Sequence, residues 1–143
     1  MSGLERLFGG MRTTSMGLSA ERTRMDVIAE NIANARTTKT ANGQPYRRQV
    51  VRFEPLVEHD KHGQVTSMGV RAAEVLPDLE TPMERIYDPA NPDATPDGFV
   101  TMPNVSATRE MADLVTAMRA YEANLKVQEN FSRMAERALR MAR

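Results

Sequence analysis

The sequence predicts a mainly α fold with a small β element: long N- and C-terminal helices packed as a coiled-coil-like hairpin, with a short β-rich central segment. Three observations carry this. From Leu4 the apolar residues return every seventh position as Leu4, Met11, Leu18, Met25 and Ile32; Leu7, Ile28 and Ala35 fill a companion position that Thr14 and Glu21 interrupt. Near the other end Met111, Leu114, Met118, Tyr121 and Leu125 are spaced 3-4-3-4. Between them, short runs of alternating apolar and polar residues are bounded by Gly, Pro and Asn. A repeat of about 3.5 residues belongs to helices that wrap around one another, and alternation belongs to strands with one wet face.

The first helix is expected from about residue 3 to 34. Gly9, Gly10 and Gly17 weaken its early turns by roughly 1 kcal/mol each relative to Ala, so the start of the chain should be loose in an isolated subunit. Asn31 and Asn34 mark its end, because Asn tolerates the left-handed conformation that closes helices. Residues 41–45 form a turn. Residues 46–57 are extended, with Val51 and Phe53 on one face and Arg52 and Glu54 on the other. A polar turn at 59–63 leads to a second strand at 70–76 and a weaker third at 83–87. So small a β element must lean on a helix or a neighbour. Residues 88–103 hold prolines 89, 92, 96 and 103, which forbid regular structure and keep the chain stiff. The segment is either a linker or, given its Tyr, Gly and evenly placed Asp, an ordered loop that packs on something.

The second helix should start near Ser106 or Thr108, with Glu110 and Asp113 facing the positive end of its dipole. It runs to about Met141, roughly 50 Å at 1.5 Å per residue. Glu122–Lys126, Glu129–Arg133 and Glu136–Arg140 are i, i+4 pairs in the favoured order. After Leu125 the apolar phase slips through Phe131, Met134, Ala138 and Met141, which redirects the last turns toward a different neighbour. One structural unit results: residues 1–35 and 104–143 supply the helices, and residues 36–103 the central segment.

Composition narrows the function. The chain has no Cys, no Trp and equal numbers of basic and acidic residues. Thiolate chemistry is excluded, and nucleic acid or a lipid surface is not an expected partner. No apolar run approaches the roughly 20 residues that cross a bilayer, and Glu5, Arg6 and Arg12 break any signal-peptide core. Eleven Met either fill an irregular core or serve an interface that accepts non-identical neighbours. His59 and His62 fall in a turn around Lys61, a poor metal site. No phosphate loop, nucleophile elbow or buried carboxylate pair is present. The expectation is no enzyme, no cofactor and no metal. Basic residues Arg36, Lys39, Arg47, Arg48 and Arg52 contrast with an acidic stretch from Glu74 to Asp97: these are two solvated faces, or patches that pair within the molecule or head to tail between copies.

Motifs then add a resemblance. Asn31-Ile32-Ala33-Asn34 resembles the signature that closes the N-terminal helix of the bacterial flagellar rod, hook and hook-associated axial proteins. Pro45-Tyr46-Arg47-Arg48-Gln49, Asp88-Pro89 after Tyr87, Pro103-Asn104-Val105 and Tyr121-Glu122-Ala123-Asn124 narrow it to the proximal-rod proteins of that family. Arg36, Asn91 and Phe99 depart from the usual residues at their positions. The resemblance implies a subunit of the flagellar basal-body rod, a drive shaft, exported through the flagellar type III channel. It also implies partners among the other proximal-rod proteins, the distal rod and the membrane-ring or export-gate base. On that reading Leu4, Leu7, Met11, Leu18, Met25, Ile28, Ile32, Met111, Leu114, Met118, Tyr121, Leu125, Phe131 and Met134 pack subunits together. Arg47, Arg48 and Arg52 would meet the acidic 78–97 segment of a neighbour. The rival reading is a free-standing helical adaptor or secretion chaperone.

Overall fold

A computed structural model describes residues 3–59 and 63–141 of the chain. Helix α1 spans Gly3–Ala33 and helix α2 spans Ala107–Met141. They lie antiparallel: Gly10 sits against Phe131, Gly17 against Asn124, and Asn31 bonds Glu110. A step of seven or fourteen residues along α1 is matched by the same step back along α2, the constant register of a 3.5-residue seam.

Most of the residues that meet on that seam are small or polar: Gly10, Gly17 and Asn31 of α1 lie against Phe131, Asn124 and Glu110 of α2, and Thr14, Ala20, Ile28 and Ala117 are also buried. A Cβ on Gly10 would come within 2.6 Å of the Phe131 ring, and one on Gly17 within 3.2 Å of Asn124. The two glycines therefore make room for the Phe131 ring and the Asn124 amide, and α1 runs through them unbroken. Thr14, which interrupts the apolar pattern, is buried, and its hydroxyl donates to the Gly10 carbonyl at 2.9 Å. Asn124 and Phe131 share the inward face one heptad apart, so the contact of α2 with α1 keeps its phase past Leu125. Only the face that carries the bulky apolar residues changes.

The central segment begins with β1 (Gln49–His59) and β2 (Val65–Pro77), paired antiparallel with Gln49 opposite Pro77 and Leu56 opposite Gly69. The hairpin leans on α1: Met16 lies where a Cβ on Gly69 would stand. Phe53 and Val70 close a mainly apolar cleft of about 310 Å³ with Thr14, Gly17, Ala20 and Asn124. A second antiparallel pair joins β3 (Arg85–Tyr87) to β4 (Phe99–Thr101). Strand β4 lies inside the stretch expected to be irregular; three residues of strand are too short to leave an alternation signal.

The loop between β3 and β4 is ordered. Asp88 N–H donates to the Gly98 carbonyl, Asn91 N–H to Asp88 and Ala94 N–H to Asn91, and Gly98 takes a φ of 80°. Among the described residues no side-chain-bearing residue has a positive φ. Helix α1 therefore does not end on a left-handed Asn. Asn34 closes it with its side chain, donating to the Glu30 carbonyl at 3.0 Å and accepting the Thr37 hydroxyl at 3.1 Å. Thr38 then bonds Asp93 at 2.7 Å, which ties the end of α1 to the β3–β4 loop.

Candidate assembly interface

One buried polar cluster joins the end of α1, the segment before β1 and the start of α2. Asn31 is 1% exposed and uses its whole amide. Its Nδ2 donates to Glu110 Oε2 at 3.0 Å and to the Gln49 carbonyl at 2.8 Å. Its Oδ1 accepts the Tyr46 hydroxyl at 3.0 Å and the Gln49 N–H at 2.8 Å. Two donors and two acceptor positions are all an Asn amide offers, so a buried group that would otherwise cost about 1–3 kcal/mol is fully satisfied.

Glu110 is completely buried and accepts Arg48 Nε at 2.6 Å on its other oxygen. Burial disfavours the Arg48 cation, but the hydrogen bond and charge of Glu110, with Asp78 behind them, hold its pKa above the ordinary value. Asp78 is held below the usual carboxylate range, first by the Thr81 N–H and hydroxyl, then by the Glu80 N–H and Arg48. Asn104 completes the cluster, accepting the Arg48 N–H at 2.8 Å and donating to the carbonyls of Asp78 and Thr81, each at 3.0 Å. Tyr46 is pushed up to about 12 by burial, then by Glu30 and Glu110.

Here the structure corrects the intersubunit pairing expected of the arginines. Arg48 is engaged by Glu110 and Asp78, Arg47 donates to the Asp78 carbonyl at 3.1 Å, and Arg52 meets Glu74 at 2.9 Å across β1 and β2. The acidic stretch begins where β2 returns beside the Arg47–Arg48 segment, so partners distant in sequence lie within reach in one chain.

The apolar seam points elsewhere. Met111 is 54% exposed, Met118 and Leu125 42% each, and Met134 48%. With Val115 and Val127, also exposed, they form stripes on α2 away from the α1 contact. Leu114, Tyr121 and Phe131 are half-buried, as are Met11, Leu18, Met25 and Ile32 on α1, while Ile28 is buried. The side chains of Leu4 and Leu7 lie outside the described residues, as do Asp60, Lys61 and His62. Of the motif residues, Asn31, Tyr46, Arg48 and Gln49 meet in the cluster. Ala33, Asp88, Pro89 and Glu122 are exposed, and Pro45, Asn34 and Asn124 half-buried. The sequence reading missed Asp78 as a member of the cluster and Gly10 and Gly17 as contacts. Periodicity weighs large apolar residues and is blind to small ones. No helix among the described residues is long and apolar enough to cross a membrane.

Residues 11–39 match the family described as flagella basal body rod protein, and residues 97–141 match the flagellar basal body rod FlgEFG protein C-terminal family. These two segments contain the Asn31 and Glu110 ends of the cluster and most of both helices. The chain is 40% identical to flagellar basal-body rod protein FlgC of Borreliella burgdorferi over 93% of its own length and 95% of the relative's. It is 34% identical to FlgC of Bacillus subtilis, covering 95% and 98% of the two chains. With FlgC of Yersinia enterocolitica the identity is 41% over 77% and 78%. A helix pair with small residues inside and large apolar residues outside, matched over nearly its whole length, belongs to the FlgC family of flagellar basal-body rod proteins.

Proposed function

We propose that this structural subunit of the basal-body rod joins its neighbours through the apolar stripes on the outer faces of its helix pair. The carrying observation is the exposure of Met111, Met118 and Leu125 on a helix whose other face is already occupied by α1. Methionine packs adaptably, which suits contacts with more than one kind of rod protein. On this reading the helices of residues 1–35 and 104–143 form the rod core. The partners are other proximal-rod proteins, the distal rod and the ring or export-gate base, and contacts that do not close on themselves extend the rod as a drive shaft. Met11, Leu18, Met25 and Ile32 are the matching stripe on α1. Export through the flagellar type III channel belongs to the same reading.

The test is a pair of charges, Met118→Glu with Leu125→Glu, in the organism's own copy of the gene. Each side chain is already partly in water, so thermal unfolding of the purified chain should move by less than about 0.5 kcal/mol. Basal bodies should nevertheless lack the protein, and cells should not swim. Normal rods in swimming cells would reject the outer stripes as the joining surface. A free-standing adaptor would instead bury these stripes in a stable oligomer of the isolated chain.

A further inference from the structure

Resting on the rod-subunit reading, we infer that the β3–β4 hairpin is an acidic, aromatic socket for the arginine-rich end of α2 in a second copy of this chain. Tyr87 is 65% exposed and packs edge-on to Phe99, with ring centroids 5.3 Å apart, while Arg85 lies over the Phe99 ring at 5.2 Å. Gly98 permits this, since a Cβ there would meet the Tyr87 ring at 2.7 Å. Exposed aromatic rings held rigidly by a glycine turn offer contact area at small entropic cost.

Carboxylates rim the rings. The side chains of Glu84, Asp88 and Asp97 are exposed and make no hydrogen bond or ion pair among the described residues, unlike Asp78 and Asp93, which pair with Arg48 and Lys39. Three carboxylates against the one guanidinium of Arg85 leave the hairpin net negative around its rings, and its complement is a cationic surface with apolar side chains. The last turns of α2 have that chemistry: Arg133 pairs with Glu129 one turn back, while Arg137 and Arg140 stand against Glu136 alone, beside exposed Met134, Leu139 and Met141. Arg137 and Arg140 have no acidic partner among the described residues.

The two surfaces lie at opposite poles. The hairpin is tied to the end of α1 through Thr38–Asp93, and to the chain just before α2 through Met102 N–H on the Glu84 carbonyl. The basic turns are at the far end of α2, on the order of 50 Å away along the helix. Surfaces so separated cannot meet in one molecule. Between molecules they make a directional contact that suppresses the reversed orientation, because like poles repel.

A photo-crosslinking residue, Tyr87→p-benzoylphenylalanine, in the organism's own chain tests this, with products from purified basal bodies mapped by mass spectrometry. The expected product joins the hairpin to the basic last turns of α2 in a second copy of this chain. Rods that contain the variant but yield no product, or products only with another protein or a mid-helix surface, overturn the inference and leave the rod reading intact. Absence even of the unmodified chain from basal bodies overturns the rod reading itself. Should the crosslinking variant fail to incorporate, the charge reversals Asp88→Arg and Asp97→Arg decide. They are exposed and should leave the purified chain folded, yet reduce complete rods about tenfold; unchanged rod numbers overturn the inference.

Discussion

Asn31 fastens three parts of the chain with one amide, and its neighbours make the consequences calculable. In Asn31→Asp the shape survives, but two donors become lone pairs facing Glu110 Oε2 and the Gln49 carbonyl. We expect a loss of about 3 kcal/mol or more in urea unfolding. Adding Glu110→Gln supplies a donor opposite the new carboxylate, so the double variant should recover more than about 1 kcal/mol relative to additivity. Strict additivity would mean that the two groups do not interact. Tyr46 offers a second test. Its folded pKa is raised from 10.0 to about 12, so the folded chain holds a proton that the unfolded chain releases. The contribution of Tyr46 to stability is therefore constant below about pH 10 and is lost between about pH 10 and 12. One tyrosine in an absorbance titration should ionise near 12, and Tyr46→Phe should remove that step and the alkaline slope.

At the scale of elements, the helix pair is held by close approach. A Cβ added at Gly9 would have nothing within 4 Å, whereas one at Gly10 would meet the Phe131 ring. Gly9→Ala should raise stability by up to about 1 kcal/mol through helix propensity alone. Gly10→Ala gains the same propensity but must displace the ring, a strain of about 1–3 kcal/mol, so it should be neutral or destabilising. Thermal unfolding of the two single variants checks this; an equal gain in both would show that the glycine contact is loose. The same geometry explains why the propensity reading of Gly10 misleads: a residue that weakens an isolated helix suits a packed one where a side chain of the partner helix fills the space a Cβ would take.

At the scale of the molecule, the two ends depend on each other. Deleting residues 126–143 removes Phe131 and exposes the first turns of α1. Short helices without a packed face are marginal in water, so far-UV circular dichroism should lose the deleted helix and roughly ten further residues. A loss confined to the deleted segment would show that α1 stands alone. The folded chain also leaves bulky apolar surface uncovered on α2, and on the proposed assembly it is neighbours that bury it.

Much of this was legible in the chain. The heptads, the helix ends within a residue or two and the first strand, expected at 46–57 and found at Gln49–His59, follow from local spacing and residue chemistry, because periodicity and turn preference are properties of neighbours in sequence, and the family was legible as a resemblance of motifs. Which face meets which was decided by the tertiary structure. Met111, Met118, Leu125 and Met134 of the large apolar seam lie outside, and Gly10, Thr14, Gly17, Asn31 and Glu110 lie within. Likewise the partners of Arg48, Asp78 and Glu110, are far along the chain, and nothing local distinguishes a pairing within the chain from one between copies. Close approach and buried hydrogen bonds depend on distances between remote segments, and those distances exist only once the chain is folded.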